Sequence, residues 1–170
     1  PAGTTVLGEP AAIGSGARFN RDGAIVTPLL LDPTVGDFTI EAVVRADVGA
    51  GDMVILANQD GTLGPGRSNL VVNASRFFTT FSGGAATNSG DMVTEDGFDH
   101  VILTYDQSAA GGADPTFRFY INGEEAGTSS NIPEAANGNW VIGANKVLTT
   151  QFFNGLVDEI AIYDKRLDDL

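Results

Sequence analysis

Phe152-Phe-Asn-Gly-Leu-Val-Asp-Glu-Ile-Ala-Ile-Tyr163 decides how this chain is read. Its apolar residues recur at period two, the spacing of a strand whose two faces meet different surroundings. On strict alternation Leu156, Asp158, Ile160 and Ile162 share one face, and Val157, Glu159, Ala161 and Tyr163 share the other. Whichever face turns inward, one carboxylate goes with the aliphatic side chains. A carboxylate so placed is costly unless a cation or several hydrogen bonds satisfy it. Asp158 or Glu159 is therefore the first place to look for a bound ion.

The same pattern extends outward from this stretch. Short runs rich in Val, Ile, Phe and Thr alternate with clusters of Gly, Asn, Asp and Pro, Gly occurs 22 times, and helical signals are nearly missing. That predicts an all-β chain, a two-sheet antiparallel β-sandwich or jelly roll. Strands are expected at Thr4 to Leu7, Ala17 to Asn20, Ala24 to Thr27, Asp37 to Arg45, Met53 to Leu56 and Asn69 to Val72. Further strands are expected at Arg76 to Phe81, Asp91 to Val93, Phe98 to Asp106, Thr116 to Ile121, Glu124 to Thr128 and Asn139 to Ala144. Asn122-Gly123 is the strongest hairpin signal. Asn58 to Ser68 and Ser82 to Gly90 read as soft polar loops. With no repeat or linker, residues 1–170 read as one domain, long enough to bury roughly 70% of its unfolded surface.

Charge narrows the partners. The net charge is −13 and the isoelectric point about 4.1, against nucleic acid and anionic membranes, which select for Lys and Arg patches. No stretch approaches the roughly 20 apolar residues of a membrane span. Cysteine is absent, so disulfides play no part. Pro1-Ala-Gly-Thr-Thr is unlike a signal peptide, and the chain reads as a mature or excised piece of a longer parent.

With the strands placed, several segments resemble one family. Phe38-Thr-Ile-Glu-Ala-Val-Val is similar to its "FTIEAWV" strand, and Asp99-His-Val-Ile-Leu-Thr-Tyr-Asp106 is similar to "HHVALTYD". Phe119-Tyr-Ile-Asn-Gly123 resembles "LYVNG", Val141-Ile-Gly-Ala-Asn145 resembles "LRIGAN", and Phe153 to Tyr163 resembles "FNGLIDEVRIY". Blocks of this kind occur in this order in laminin G-like, concanavalin A-like jelly-roll domains of bacterial secreted proteins. The match runs from about Ala17 to Leu167. Val43 stands where the family often has Trp, and Phe98-Asp99 replaces an aromatic-His pair.

The resemblance implies a structural calcium ion held by Asp158, with the turn at Asn20 and Asp22, or Glu9, supplying further oxygens. It also implies an extracellular setting and carbohydrate as a partner class, although this fold hosts lectins, adhesion domains and glycosidases alike. Sugar binding needs an aromatic platform and polar side chains that fork to hydroxyls. Trp140 is the first aromatic candidate, ahead of Tyr120, Phe78 and Phe81; Arg76, Arg118, Asn69 and Asn145 are the candidate hydrogen-bonding groups. The lone His100 lies within a strand and reads as a hydrogen-bonded core residue, without a second ligand at metal spacing. Asn58 to Gly61 has only half a calcium-loop pattern and reads as a plain turn. Glycoside hydrolysis asks for two carboxylates about 5–10 Å apart. The acid pairs here, Glu124-Glu125, Asp158-Glu159 and Asp168-Asp169, are adjacent and would point to opposite faces of a strand. The expected role is non-catalytic carbohydrate recognition within a larger secreted or surface protein. A structural or adhesive module that meets protein partners is the alternative.

Overall fold

A computed structural model describes residues 5–47, 49, 51–58, 68–82, 85–114, 116–133, 138–145 and 148–167. Among them thirteen strands form two antiparallel sheets, as alternation predicts. The strands are β1 Val6–Pro10, β2 Ser15–Asn20, β3 Ile25–Val26, β4 Phe38–Ala46, β5 Met53–Ala57, β6 Ser68–Val72 and β7 Phe77–Ser82, then β8 Ala85–Met92, β9 Asp99–Tyr105, β10 Phe117–Ile121, β11 Glu124–Ser129, β12 Val141–Ile142 and β13 Asn154–Tyr163. One sheet runs β1-β2-β13-β4-β9-β10-β11 and the other β3-β12-β5-β6-β7-β8. The arrangement is a β-sandwich consistent with a jelly roll.

Period two places the core. Phe38, Ile40, Ala42 and Val44 of β4 point between the sheets beside Val101, Leu103 and Tyr105 of β9 and Phe117 and Phe119 of β10. Phe38 stacks on Tyr105 with ring centroids 5.3 Å apart, and Phe117 closes the cluster 5.0 Å from Tyr105. The β10–β11 hairpin turns where expected. Asn122 and Gly123 both have positive φ, 53° and 90°, the backbone of a tight primed turn.

Three expectations fail. Ser82 to Gly90, read as a loop, contains most of β8. Its buried residues Thr87 and Ser89 are small and polar, and Ser89 Oγ accepts the Phe78 N–H at 3.1 Å, so the strand carries little apolar signal.

The second concerns β13. Its register against β4 slips between Val157 and Ile160, so Val157, Ile160 and Ile162 all turn toward the core, contrary to strict alternation. The slip is a bulge. It places both acids outside the core: Glu159 is exposed, and Asp158 lies half-buried beneath the turn that follows β1. His100 is likewise not a core residue. It stands half-buried on the outer face of its sheet, with Nε2 2.7 Å from Glu41 Oε1.

Candidate functional site

One end of the sandwich gathers the turn after β2, the segment between β4 and β5, the β6–β7 turn, the β8–β9 segment and the approach to β13. Two hollows open there. The larger, about 430 Å³, is lined by Ala46, Asp47, Gly49, Ala74, Arg76, Glu95 and Asp96. The smaller, about 240 Å³, is lined by Arg21, Asp52, Met53, Gln151 and Phe152. They share a wall. A Cβ placed on Gly49 would lie 1.6 Å from Arg21 Nη2, and Asp52 Oδ1 accepts the Ala74 N–H at 2.9 Å.

The larger hollow is lined by paired charges. Asp47 pairs with Arg18 and lies 3.9 Å from Arg45 Nε; Arg76 pairs with Glu95. Arg76 Nε is buried without a hydrogen-bond partner among the described residues. Paired guanidinium and carboxylate groups hold one another in place, and their remaining donors and acceptors can fork to adjacent hydroxyls. Of six non-glycine residues at positive φ among those described, four line these two hollows: Arg21, Arg76, Asp96 and Gln151, at φ 63°, 72°, 58° and 56°. Backbone held in such conformations costs free energy and clusters at binding sites.

Of the expected sugar-binding residues whose side chains are described, the structure brings only Arg76 to this end. Trp140 is wholly buried, its indole N–H donated to the Leu31 carbonyl at 2.9 Å, so it is a core residue and not a platform. Asn145 is 5% exposed and braces the chain after β12: its Oδ1 accepts the N–H of Thr149 and Thr150, and its Nδ2 donates to Thr150 Oγ1. Arg118 sits on the outer sheet face, bonded to Glu125 at 2.9 Å. The side chain of Asn69 lies outside the described residues, as do residues 59–61 of the half calcium pattern. Asp47, Glu95, Asp96, Arg21 and Phe152 were missed. They belong to four separate segments, and only short turn signals, Asp22-Gly23, Gly49 to Asp52 and Asp96-Gly97, mark any of those.

The expected calcium ligands are also separated. Asn20 pairs with Asn154, four residues along β13 from Asp158, roughly 13 Å at strand rise. Asp22 lies beyond Asn20 and is exposed. Neither reaches Asp158. Glu9 is closer: it pairs with Gly16, and a Cβ on Gly16 would come within 3.3 Å of Asp158 Cα. Asp158 Oδ2 accepts the Ile13 N–H at 2.6 Å, whereas Oδ1 is buried with no hydrogen-bond partner among the described residues. No cluster of three His or acidic side chains at metal spacing occurs among the described residues.

A third polar group lies on the outer sheet face. Tyr163 donates to Glu41 Oε2 at 2.8 Å while His100 meets Oε1. Burial works to raise the Glu41 carboxyl, but the hydrogen bonds from Tyr163 and His100 and the charge of a protonated imidazole outweigh it and hold the group below its ordinary value. Hydrogen bonding to Glu41, then that carboxylate's charge, pushes the Tyr163 phenol up.

No helix among the described residues is long and apolar enough to cross a membrane. No curated protein matches the sequence. Among solved structures, domain 4 of the arabinanase AbnA from Geobacillus stearothermophilus, an extracellular enzyme of glycoside hydrolase family 43 in complex with arabinotriose, superposes with TM-score 0.66 at 18% identity, over 98% of this chain and 78% of that one. The Ruminococcus gnavus sialidase module CBM40, bound to α2,3-sialyllactose, gives 0.65 at 16% identity over 91% of both chains. A Trypanosoma rangeli sialidase gives 0.64 at 19%, but this chain spans only 28% of it. At these identities the likeness is one of fold. The sequence profile of the concanavalin A-like lectin/glucanase superfamily matches residues 19–169, and the chain belongs to that family.

Proposed function

We propose that this protein is a non-catalytic carbohydrate-recognition module of a larger extracellular protein, binding glycan hydroxyls in the hollow around Arg76. The observation that carries this reading is the convergence of Asp47, Arg76, Glu95 and Asp96 from three strand connections on one open hollow. Whole-module neighbours of the same fold are named as bound to arabinotriose and sialyllactose, and the first belongs to an extracellular enzyme. The sialidase that carries catalysis extends well beyond the matched part. Carboxylates accept from sugar hydroxyls and guanidinium donates to them, so neutral glycans suit this lining. Affinity gels containing arabinan, xylan, β-glucan or polygalacturonate test it. A neutral polymer is expected to retard the parent protein. Arg76→Ala and Glu95→Gln are each expected to weaken binding about tenfold or more, the scale of a lost charged hydrogen bond, while Arg118→Ala leaves it intact. Migration unchanged on every gel, with self-association on concentration, would instead favour an adhesive module.

We also propose a structural calcium ion at Asp158. The buried, unpartnered Oδ1 fits a hard cation, and the turn from Ala11 to Gly14, with Glu9 beside it, offers the backbone and carboxylate oxygens such an ion takes. Asn20 and Asp22 are not part of this set. A chelator is expected to lower Tm by about 5 °C or more, the scale for a site well saturated with its ion. Asp158→Ala is expected to remove that sensitivity. An unchanged Tm in chelator refutes the ion.

A further inference from the structure

The hollow beside Phe152 has a composition unlike its neighbour's. It combines a half-buried aromatic ring, a guanidinium, a carboxylate and an amide around about 240 Å³. The backbone that carries the ring is tied to β5: Phe152 bridges Val54, and the Gln151 carbonyl accepts the Val54 N–H at 2.9 Å. The Arg21 guanidinium is exposed and makes no ion pair with a described carboxylate, unlike Arg18, Arg45, Arg76, Arg118 and Arg166. It rests against Gly49, which lines the larger hollow, so its donors stand where the two hollows meet. A Cβ at position 49 would displace the guanidinium from that place.

Resting on the sugar-binding reading of the Arg76 hollow, we infer that the Phe152 hollow is a second subsite for the same glycan chain. It takes the next sugar unit, with the apolar face of that unit against Phe152 and its hydroxyls toward Arg21, Gln151 and Asp52. An aromatic wall with a few convergent polar groups is the usual make-up of a small-molecule site, and the first hollow lacks the aromatic part. Carboxylates outnumber guanidinium groups across the two linings, so the chain that fits is neutral and at least two units long. A polyuronate would meet Asp47, Glu95 and Asp96 with its own negative charge.

The test uses the same gels, then neutral oligosaccharides of one to four units taken from the polymer that retards the parent protein. Affinity of the parent is expected to rise at least fivefold between one unit and three. Phe152→Ala and Arg21→Ala are each expected to flatten that rise while costing single-unit affinity much less than Arg76→Ala does, the signature of two linked contacts. A merely destabilised variant would lose both together, and Arg21, being exposed, keeps the test open should Phe152→Ala fold poorly. If Arg76→Ala abolishes binding while both other variants keep the full chain-length dependence, the second subsite is overturned and the first stands. If polygalacturonate alone binds, or no polymer retards the parent protein, both are overturned.

Discussion

Trp140→Ala is expected to destabilise the fold by about 3–5 kcal/mol, the range for removing a large buried aromatic side chain. In a chain of this length that is a fall in Tm of roughly 10 °C or more. Trp140 is fully buried and belongs to the main apolar cluster between the sheets. Neighbours on both sides come from paired strands and can collapse only partly into the space. Its indole N–H also satisfies the Leu31 carbonyl, and its own backbone ties to Leu29 at 3.2 Å and Thr27 at 2.9 Å. Trp140 thus fastens the segment between β3 and β4 to the sandwich. Trp140→Phe, which keeps most of the volume but drops the donor, is expected to cost less than Trp140→Ala. Thermal unfolding followed by circular dichroism reads both. A Trp140→Ala protein that melted with the parent but lost a glycan would place this residue on a binding surface, against the burial seen here.

Gly155→Ala carries the second large effect, about 3–5 kcal/mol. Gly155 sits at φ +147°, between β2 and β4, paired with Phe19 on one side and Ala46 on the other. A Cβ there would lie 2.1 Å from the Arg45 carbonyl oxygen and 3.1 Å from Ala46 Cα. Those are backbone atoms of a central strand, and they cannot swing aside as a flexible side chain can. Backbone strain of about 1–3 kcal/mol adds to an overpacking cost of similar size. Gly111→Ala is the matched control, because Gly111 has φ +81° with nothing within 4 Å of the added atom. Its cost is strain alone, about 1–2 kcal/mol. Equal losses from the two substitutions, measured by denaturant unfolding, would show that the approach of β4 is not what requires glycine.

Alternation along single strands was enough to establish the layered sheets. Phe38, Ile40, Ala42 and Val44 fall on the inner face of β4 where period two puts them, and Asn122-Gly123 turns the hairpin it announces. Family blocks such as Phe153-Asn-Gly155 led to the right superfamily, and the glycine in that block proves to be the residue that lets β4 pass close to β13. These features are local: each depends on a few consecutive residues and the backbone geometry they prefer.

Tertiary structure alone decided the rest. Whether Asp158 and Glu159 enter the core depends on a bulge, and a bulge is defined against the partner strand β4, more than a hundred residues earlier in the chain. Trp140 looked like a platform beside a polar loop, yet the order β3-β12-β5 places it under the β3–β4 segment. The candidate site draws Arg21, Asp47, Asp52, Arg76, Glu95 and Phe152 from five separate segments, and no spacing rule connects them. Side chains that period two can sort obey their own strand, whereas side chains that build a hollow obey the pairing order of all the strands. That pairing order is set by burial across the two sheets, and only the folded chain displays it.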